Sequence, residues 1–282
     1  MKKTLLALAF LSTTALAQAP EFSADRLNQD IKTLSSDAFE GRGPATAGEE
    51  KAIAYISEGF KAAGLQPAGD PEGGTRSWYQ KVPLLKSEIV GAPRLAMTLD
   101  GKAQPLTQGE QIAVRAAMTG QKHVTIKDAP LVFVGYGVTA PEWKWDDFKG
   151  VDVKGKIIVV LVNDPDFETG QGDFGGKAMT YYGRWTYKYE EAARRGAAGV
   201  MVVHETAPAS YGWNTVKNSN TNTMFDIVRK DAAAVHTPME SWIQRDEAVA
   251  LFKASGLDFD AEKKKAQSRA FRPVPLKASF SA

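Results

Sequence analysis

Hydrophobic positions recur along this chain at two different spacings, and the spacing changes once. Near the start the spacing is helical. Ser23 can cap a helix in which Leu27, Ile31 and Leu34 fall at i, i+4 and i+7, forming one apolar stripe. After the Gly41-Arg42-Gly43-Pro44 breaker a second helix is expected from about Ala47, with Ile53, Ile56 and Phe60 on one face. Gly64 is placed to stop it, because glycine enters the left-handed conformation beyond a helix end at little cost. Gly69 to Gly74 reads as a polar loop, and Trp78 to Leu85 as a strand.

From about residue 91 the pattern is that of strands. Arg94 to Leu99 and Ala103 to Leu106 flank Asp100-Gly101, a hairpin signal. His123 to Ile126, Leu131 to Val134 and Lys156 to Val162 are strand candidates rich in Val and Ile. Arg184 to Arg195 predicts a helix closed by Gly196, and the apolar strand Gly199 to Val203 follows. Asn214 to Thr223 is polar and reads as a loop. Asp246 to Ser255 predicts a short helix capped by Asp246 and closed by Gly256, and Val274 to Phe280 a final strand. No internal repeat is visible. Two helices, a strand-rich module, one helix-strand unit and a return strand predict an α/β protein in which a mixed β/α domain is inserted into another domain.

Composition narrows the classes. The 282 residues are 43% hydrophobic and 24% charged, near the averages of folded domains, which excludes disorder, collagen-like repeats and a polytopic membrane protein. With no cysteine there is no disulfide framework, thiolate metal site or thiol nucleophile. Residues 1–20 read MKKTLLALAFLSTTALAQAP, with Lys2 and Lys3 before an apolar run from Leu5 to Leu11 and a small-x-small site at Ala15-Leu16-Ala17. That is a signal-peptide pattern over 1–17, and the run falls short of the roughly 20 residues a spanning helix needs. An exported protein is expected, periplasmic or extracellular after cleavage. Removal of two of the 35 basic side chains leaves 33 facing 33 acidic ones, so the mature chain does not look built for nucleic acid. The Lys263-Lys264-Lys265 run is read as a solvated helix face.

Several motifs have plainer readings. Gly135-Tyr136-Gly137-Val138-Thr139-Ala140 fits the loose dinucleotide pattern, but Pro141 and Trp143 to Asp147 follow without helical spacing, so a tight turn is expected. Asp164, Asp166, Glu168 and Asp173 cluster in a Gly-rich loop, yet Thr169 and Gly175 stand where an EF-hand needs Gly and Glu. A solvated loop is expected, with an irregular calcium site as the alternative. His123, His204 and His236 lack the i, i+4 spacing of helical zinc motifs, and no G-x-S-x-G elbow occurs. In the aromatic run Tyr181 to Glu190, Trp185, Tyr189 and Ala192 lie at core spacing. Arg184, Tyr181, Tyr182 and Tyr187 carry polar tips that need water or a partner, so a ligand-facing or interdomain surface is expected there.

Three segments carry a resemblance. LSSDAFEGRGPATAGEEKAIAYISEGFKAAGL (Leu34 to Leu65) resembles the opening helices of secreted zinc aminopeptidases of metallopeptidase family twenty-eight. LVFVGYGVTAPEWKWDDFKGVDVKGKIIVVLVNDP (Leu131 to Pro165) is similar to the protease-associated insert of that family. So are YYGRWTYKYEEAARRGAAGVMVVHE (Tyr181 to Glu205) and ASYGW (Ala209 to Trp213). The resemblance implies an incomplete N-terminal part of a zinc-peptidase α/β domain over 18–90, a protease-associated domain over 91–270, and a return strand over 271–282 toward a catalytic region beyond Ala282. It also implies peptide or protein substrates, with Arg184, Tyr181, Tyr182 and Tyr187 as candidate substrate-cleft contacts, and two zinc ions in the full-length enzyme. The family's zinc ligands and general base lie after the insert, and no residue here matches those motifs. No catalytic or metal residue is therefore assigned, and this chain alone is expected to bind no zinc and to be inactive.

Two other functions compete, a non-catalytic protease-associated interaction module and a solute-binding protein. Because one strand cannot bury the stripes of both N-terminal helices, that segment is expected to expose apolar surface, whereas 91–270 has the elements to fold alone.

Overall fold

The computed structural model describes residues 22–282, so the signal-peptide reading at 1–17 lies outside the described residues. The chain divides into two units, one ending at Lys81 and one running from Val82 to Ala282.

In the first unit, helix α1 (Ala24–Leu34) begins where Ser23 Oγ accepts the Arg26 N–H at 3.2 Å. A 3-10 turn at Asp37–Arg42 leads to α2 (Ala47–Ala62). Thr46 Oγ1 accepts from the Glu49 N–H at 3.4 Å, and the Glu49 carboxylate reaches back to the Ala45 N–H. The Tyr55 hydroxyl donates to Asp30 at 2.6 Å and ties the helices together. The expected apolar stripes form but stay open: Leu27, Ile31, Ile53, Ile56 and Phe60 are all exposed.

A small hairpin follows, β1 (Pro71–Glu72) with β2 (Thr75–Arg76). The strand expected over Trp78 to Leu85 does not form as one piece. Gly69 and Asp70 donate to the carbonyls of Ser77 and Tyr79, and Asp70 accepts from the Lys81 N–H, so this stretch folds back on its own turn. Pro83 brings no donor for a ladder.

The second unit contains, in order, β3 (Leu84–Ser87), β4 (Ala96–Leu99), β5 (Lys102–Pro105), β6 (Ile112–Val114), β7 (Ala129–Phe133), β8 (Thr139–Ala140), β9 (Trp145–Asp146) and β10 (Ile157–Leu161). Then come α3 (Trp185–Arg194), β11 (Gly199–His204), α4 (Thr206–Ala209), α5 (Trp213–Asn220), β12 (Met224–Ile227), β13 (Met239–Gln244), α6 (Arg245–Ala254), α7 (Phe259–Ala266) and β14 (Val274–Ser281). One eight-stranded sheet has the order β5-β4-β14-β7-β10-β11-β13-β6. Its centre, β7-β10-β11-β13, is parallel, and antiparallel strands flank it on both sides. The fold class is α/β.

The parallel strands β10 and β11 are buried on both faces, which is why Ile157–Leu161 and Gly199 to Val203 read as unbroken apolar runs. Alternate residues serve opposite layers. Val132, Ile158, Val160, Val200, Val202 and Trp242 pack with Tyr189 and Ala192 of α3 and Val216 of α5. Leu131, Phe133, Ile157, Val159, Met201 and Val203 pack with Leu251 and Phe252 of α6 and Phe259 of α7.

Several local expectations change. Residues 214–220 are helical, not a loop. Val216 is buried, and Ser219, Thr221 and Asn222 turn their side chains onto carbonyls four residues back, so they do not compete with the helix. His123 to Ile126 form no strand, although Ile126 exchanges two backbone hydrogen bonds with Ala282. Helix α6 starts after Gln244, which leaves Asp246 in its first turn. β14 lies inside the sheet between β4 and β7, with a register shift between Pro275 and Ser279, where a proline cannot donate. Among the described residues no helix is long and apolar enough to cross a membrane.

Candidate functional site

The loops at the carboxyl ends of β7, β10 and β11 gather the polar residues of the second unit. After β7 the chain turns at once: Gly137 N–H donates to the Val134 carbonyl at 2.8 Å, with Gly135 and Gly137 both at positive φ. No helix begins there, so the glycines make a turn and offer no helix N-terminus to a pyrophosphate. The turn presents the Tyr136 carbonyl to Lys188 of α3. The Lys188 ammonium donates to the carbonyls of Tyr136 at 2.6 Å, Asn163 at 2.9 Å and Tyr182 at 2.6 Å. All three ammonium protons are used, and three loops are joined at one buried point. Burial draws the Lys188 ammonium down to about 7, against the pull of Asp147 and Asp164.

The acidic loop is built from the same kind of closure. Asp164 accepts from the Thr180 hydroxyl at 2.9 Å, and Asp166 from the Phe174 N–H at 2.5 Å. Burial raises the pKa of Asp164. Glu168 turns to Lys263 and Asp173 to Arg269, so the four acids serve separate partners. Among the described residues no group of three or more His, Cys, Asp or Glu side chains converges in a way that would hold a metal ion. His204 bonds the Tyr211 carbonyl, and His236 lies between Glu240 and Asp226. The donor set present in 22–282 does not fit the two zinc ions that the resemblance implies.

The four proposed cleft residues have distinct places. Tyr187 is buried; its hydroxyl accepts from the Thr139 N–H at 3.0 Å and donates to the Thr139 carbonyl at 3.2 Å. The Tyr182 hydroxyl donates to Glu142 at 2.6 Å, a bond that together with burial pushes its pKa up to about 12. The Tyr181 hydroxyl donates to Glu190 at 2.7 Å. The rings of Tyr181 and Tyr182 meet Tyr187 edge to face at 5.8 and 5.0 Å, and Tyr182 also packs on Trp143 and Phe174. Arg184 is exposed just before α3. The three tyrosines are thus brought together, with their rings packed against one another in the loop cluster.

A cavity of about 490 Å³ lies instead beyond the ends of β11 and β13, lined by Phe167, Glu168, His204, Glu205, Trp213, Arg245 and Lys263, among others. This is where open parallel sheets place ligands. Lys263 reaches Glu168 and Glu205 at 2.7 Å each, while Arg245 contacts Glu205 at 3.3 Å and Asp260 at 2.7 Å. Burial works against the Lys263 ammonium, but the two glutamates outweigh it and hold its pKa above the ordinary lysine value. The triple lysine is therefore not a uniformly solvated face. The His204 ring and the Trp213 indole on the same wall are likewise bonded within the protein, to the carbonyls of Tyr211 and Gly109. The sequence offered His204-Glu205 at a strand end as the only local signal, since Lys263 comes from α7 and Glu168 from the loop after β10.

No family model matches the chain, and no curated protein matches it. Among solved structures the chain is similar to the aminopeptidase from Aneurinibacillus sp. strain AM-1, at 18% identity and a TM-score of 0.36. That alignment covers 92% of this chain and 43% of the other, so this chain spans less than half the length of that protein.

Proposed function

We propose that the chain is the N-terminal part of an exported zinc-dependent aminopeptidase, in which the second unit acts as a protease-associated domain and shapes substrate access. In this proposal the two zinc ions belong to residues other than those described, and the cleft beyond β11 and β13 engages peptide or protein substrates. The observation that carries it is a convergence: Leu131–Pro165 and Tyr181–Glu205, the segments with the family resemblance, supply Tyr136, Asn163, Lys188 and Glu205 to one edge of the sheet. A rigid loop cluster beside a charged cleft is what a substrate-positioning domain needs.

The test has two arms. Aminoacyl anilides incubated with the 282-residue chain and added zinc are expected to remain intact, while unblocked peptides perturb backbone NMR signals around His204, Glu205 and Lys263. Zinc-dependent turnover by this chain would overturn the proposed division of labour, and peptides that leave the cleft signals unmoved would overturn its role. The reading frame beyond codon 282 tests the peptidase assignment itself. An H-x-D motif and paired glutamates there support it, and a stop without them leaves a non-catalytic interaction module.

A further inference from the structure

Both ring nitrogens of His236 face carboxylate oxygens. Nδ1 lies 2.7 Å from Glu240 Oε1, and Nε2 lies 2.9 Å from Asp226 Oδ2. An ionised carboxylate only accepts hydrogen bonds, whereas a neutral imidazole has one N–H and one lone pair. Each acid also accepts from an arginine: Glu240 from Arg115 at 2.9 Å and Asp226 from Arg229 at 2.9 Å. The imidazolium is the one form of the ring that satisfies every partner.

The position of this contact gives it a consequence for the fold. Asp226 belongs to β12, which pairs with β3 in a two-stranded ribbon separate from the eight-stranded sheet. Glu240 belongs to β13, inside that sheet. A two-stranded ribbon is marginal by itself and depends on what it docks against. A further tie runs from the Ser87 hydroxyl to the Ala117 carbonyl at 2.9 Å. Between the ribbon and α3 lies a cavity of about 230 Å³, lined by Phe225, Asp226, His236, Arg115, Trp185 and Tyr189, among others.

We propose that His236 is a protonation-dependent latch: the protonated ring bridges Asp226 of the ribbon to Glu240 of the sheet, and loss of its proton loosens the ribbon. The charges around it fit that role. Asp226 and Arg229 face it from the ribbon side, Glu240 from β13 and Arg115 from the segment after β6, while Glu190 of α3, which lines the same cavity, is paired with Arg194 and accepts from Tyr181. Burial opposes the charged ring, but Glu240 and Asp226 outweigh it and raise its pKa above the ordinary histidine value. A raised folded-state pKa makes the contribution full below the ring's ordinary pKa and lost as pH rises through the folded value.

Amide exchange of the full chain, corrected for intrinsic rates and followed from pH 5 to pH 8, tests the latch. Protection over 84–87 and 224–227 is expected to be lost as pH rises, while β10 and β11 stay protected throughout. His236→Gln should give ribbon protection that is low and independent of pH. The ring's own nitrogen shifts in the unsubstituted protein provide a second readout, with both nitrogens protonated at pH 5. Protection that ignores pH in the unsubstituted chain, the same pH trend in His236→Gln, or a singly protonated ring at pH 5 would each overturn the proposal.

Discussion

Lys188 Nζ donates to the Tyr136 carbonyl at 2.6 Å from a side chain that is 1% exposed. A charge so deeply buried is tolerated because its three protons meet three carbonyls, and the same bonds hold the loops after β7 and β10 against the start of α3. The loop cluster beside the cleft hangs on this point.

Lys188→Met is therefore expected to destabilise the protein by about 3–5 kcal/mol, since it leaves buried carbonyls without donors. Urea unfolding followed by circular dichroism measures the loss. A change below about 1 kcal/mol, within the range of ordinary surface substitutions, would show that water replaces the ammonium.

His204 and His236 should titrate on opposite sides of the ordinary histidine value. Burial lowers His204, so its contribution to stability is present above the unfolded pKa and lost as pH falls through the folded one. The carboxylates around His236 outweigh its burial and raise it, so its contribution has the opposite sign. Proton NMR titration of the two rings checks the order, and coincident titration would refute it.

Gly172 sits at φ 140, and a Cβ built there falls on the Asp166 carboxylate that receives the Phe174 N–H. Gly172→Ala is expected to cost about 1–3 kcal/mol and to make the 166–176 loop sensitive to protease. Unfolding midpoints and the site of first cleavage report on it.

Tyr187→Phe should cost about 1–2 kcal/mol, because the Thr139 N–H and carbonyl both lose a buried partner. Tyr182→Phe, whose partner Glu142 is exposed, should change stability by less than about 0.5 kcal/mol. Equal losses would mean that the two hydroxyls carry the same structural load.

In the first unit Ile56 and Phe60 are 41% and 48% exposed. Ile56→Glu is expected to shift stability by no more than about 0.5 kcal/mol in urea unfolding. A large loss of stability would mean that this stripe is covered in solution.

The amino-acid sequence determined the local features whose causes are local. Ser23 and Thr46 cap their helices with their own side chains, and Asp100-Gly101 turns its hairpin because both residues take positive φ. Three of the four parallel strands, β7, β10 and β11, were legible because burial on both faces favours unbroken apolar runs, whereas β13 (Met239–Gln244) was not, since Glu240, Ser241 and Gln244 interrupt its apolar pattern. Helix α5 was not legible, since Val216 is its one apolar residue that is buried and its polar side chains bond inward. The cleft and the latch were decided by tertiary structure alone. Glu168, Glu205 and Lys263, like Asp226, His236, Glu240 and Arg115, meet only because the fold brings their separate strands, helices and loops together. Lys188 shows the reason most plainly. On a helix it reads as one more solvated cation, and only the folded chain supplies the three carbonyls that allow its charge to be buried.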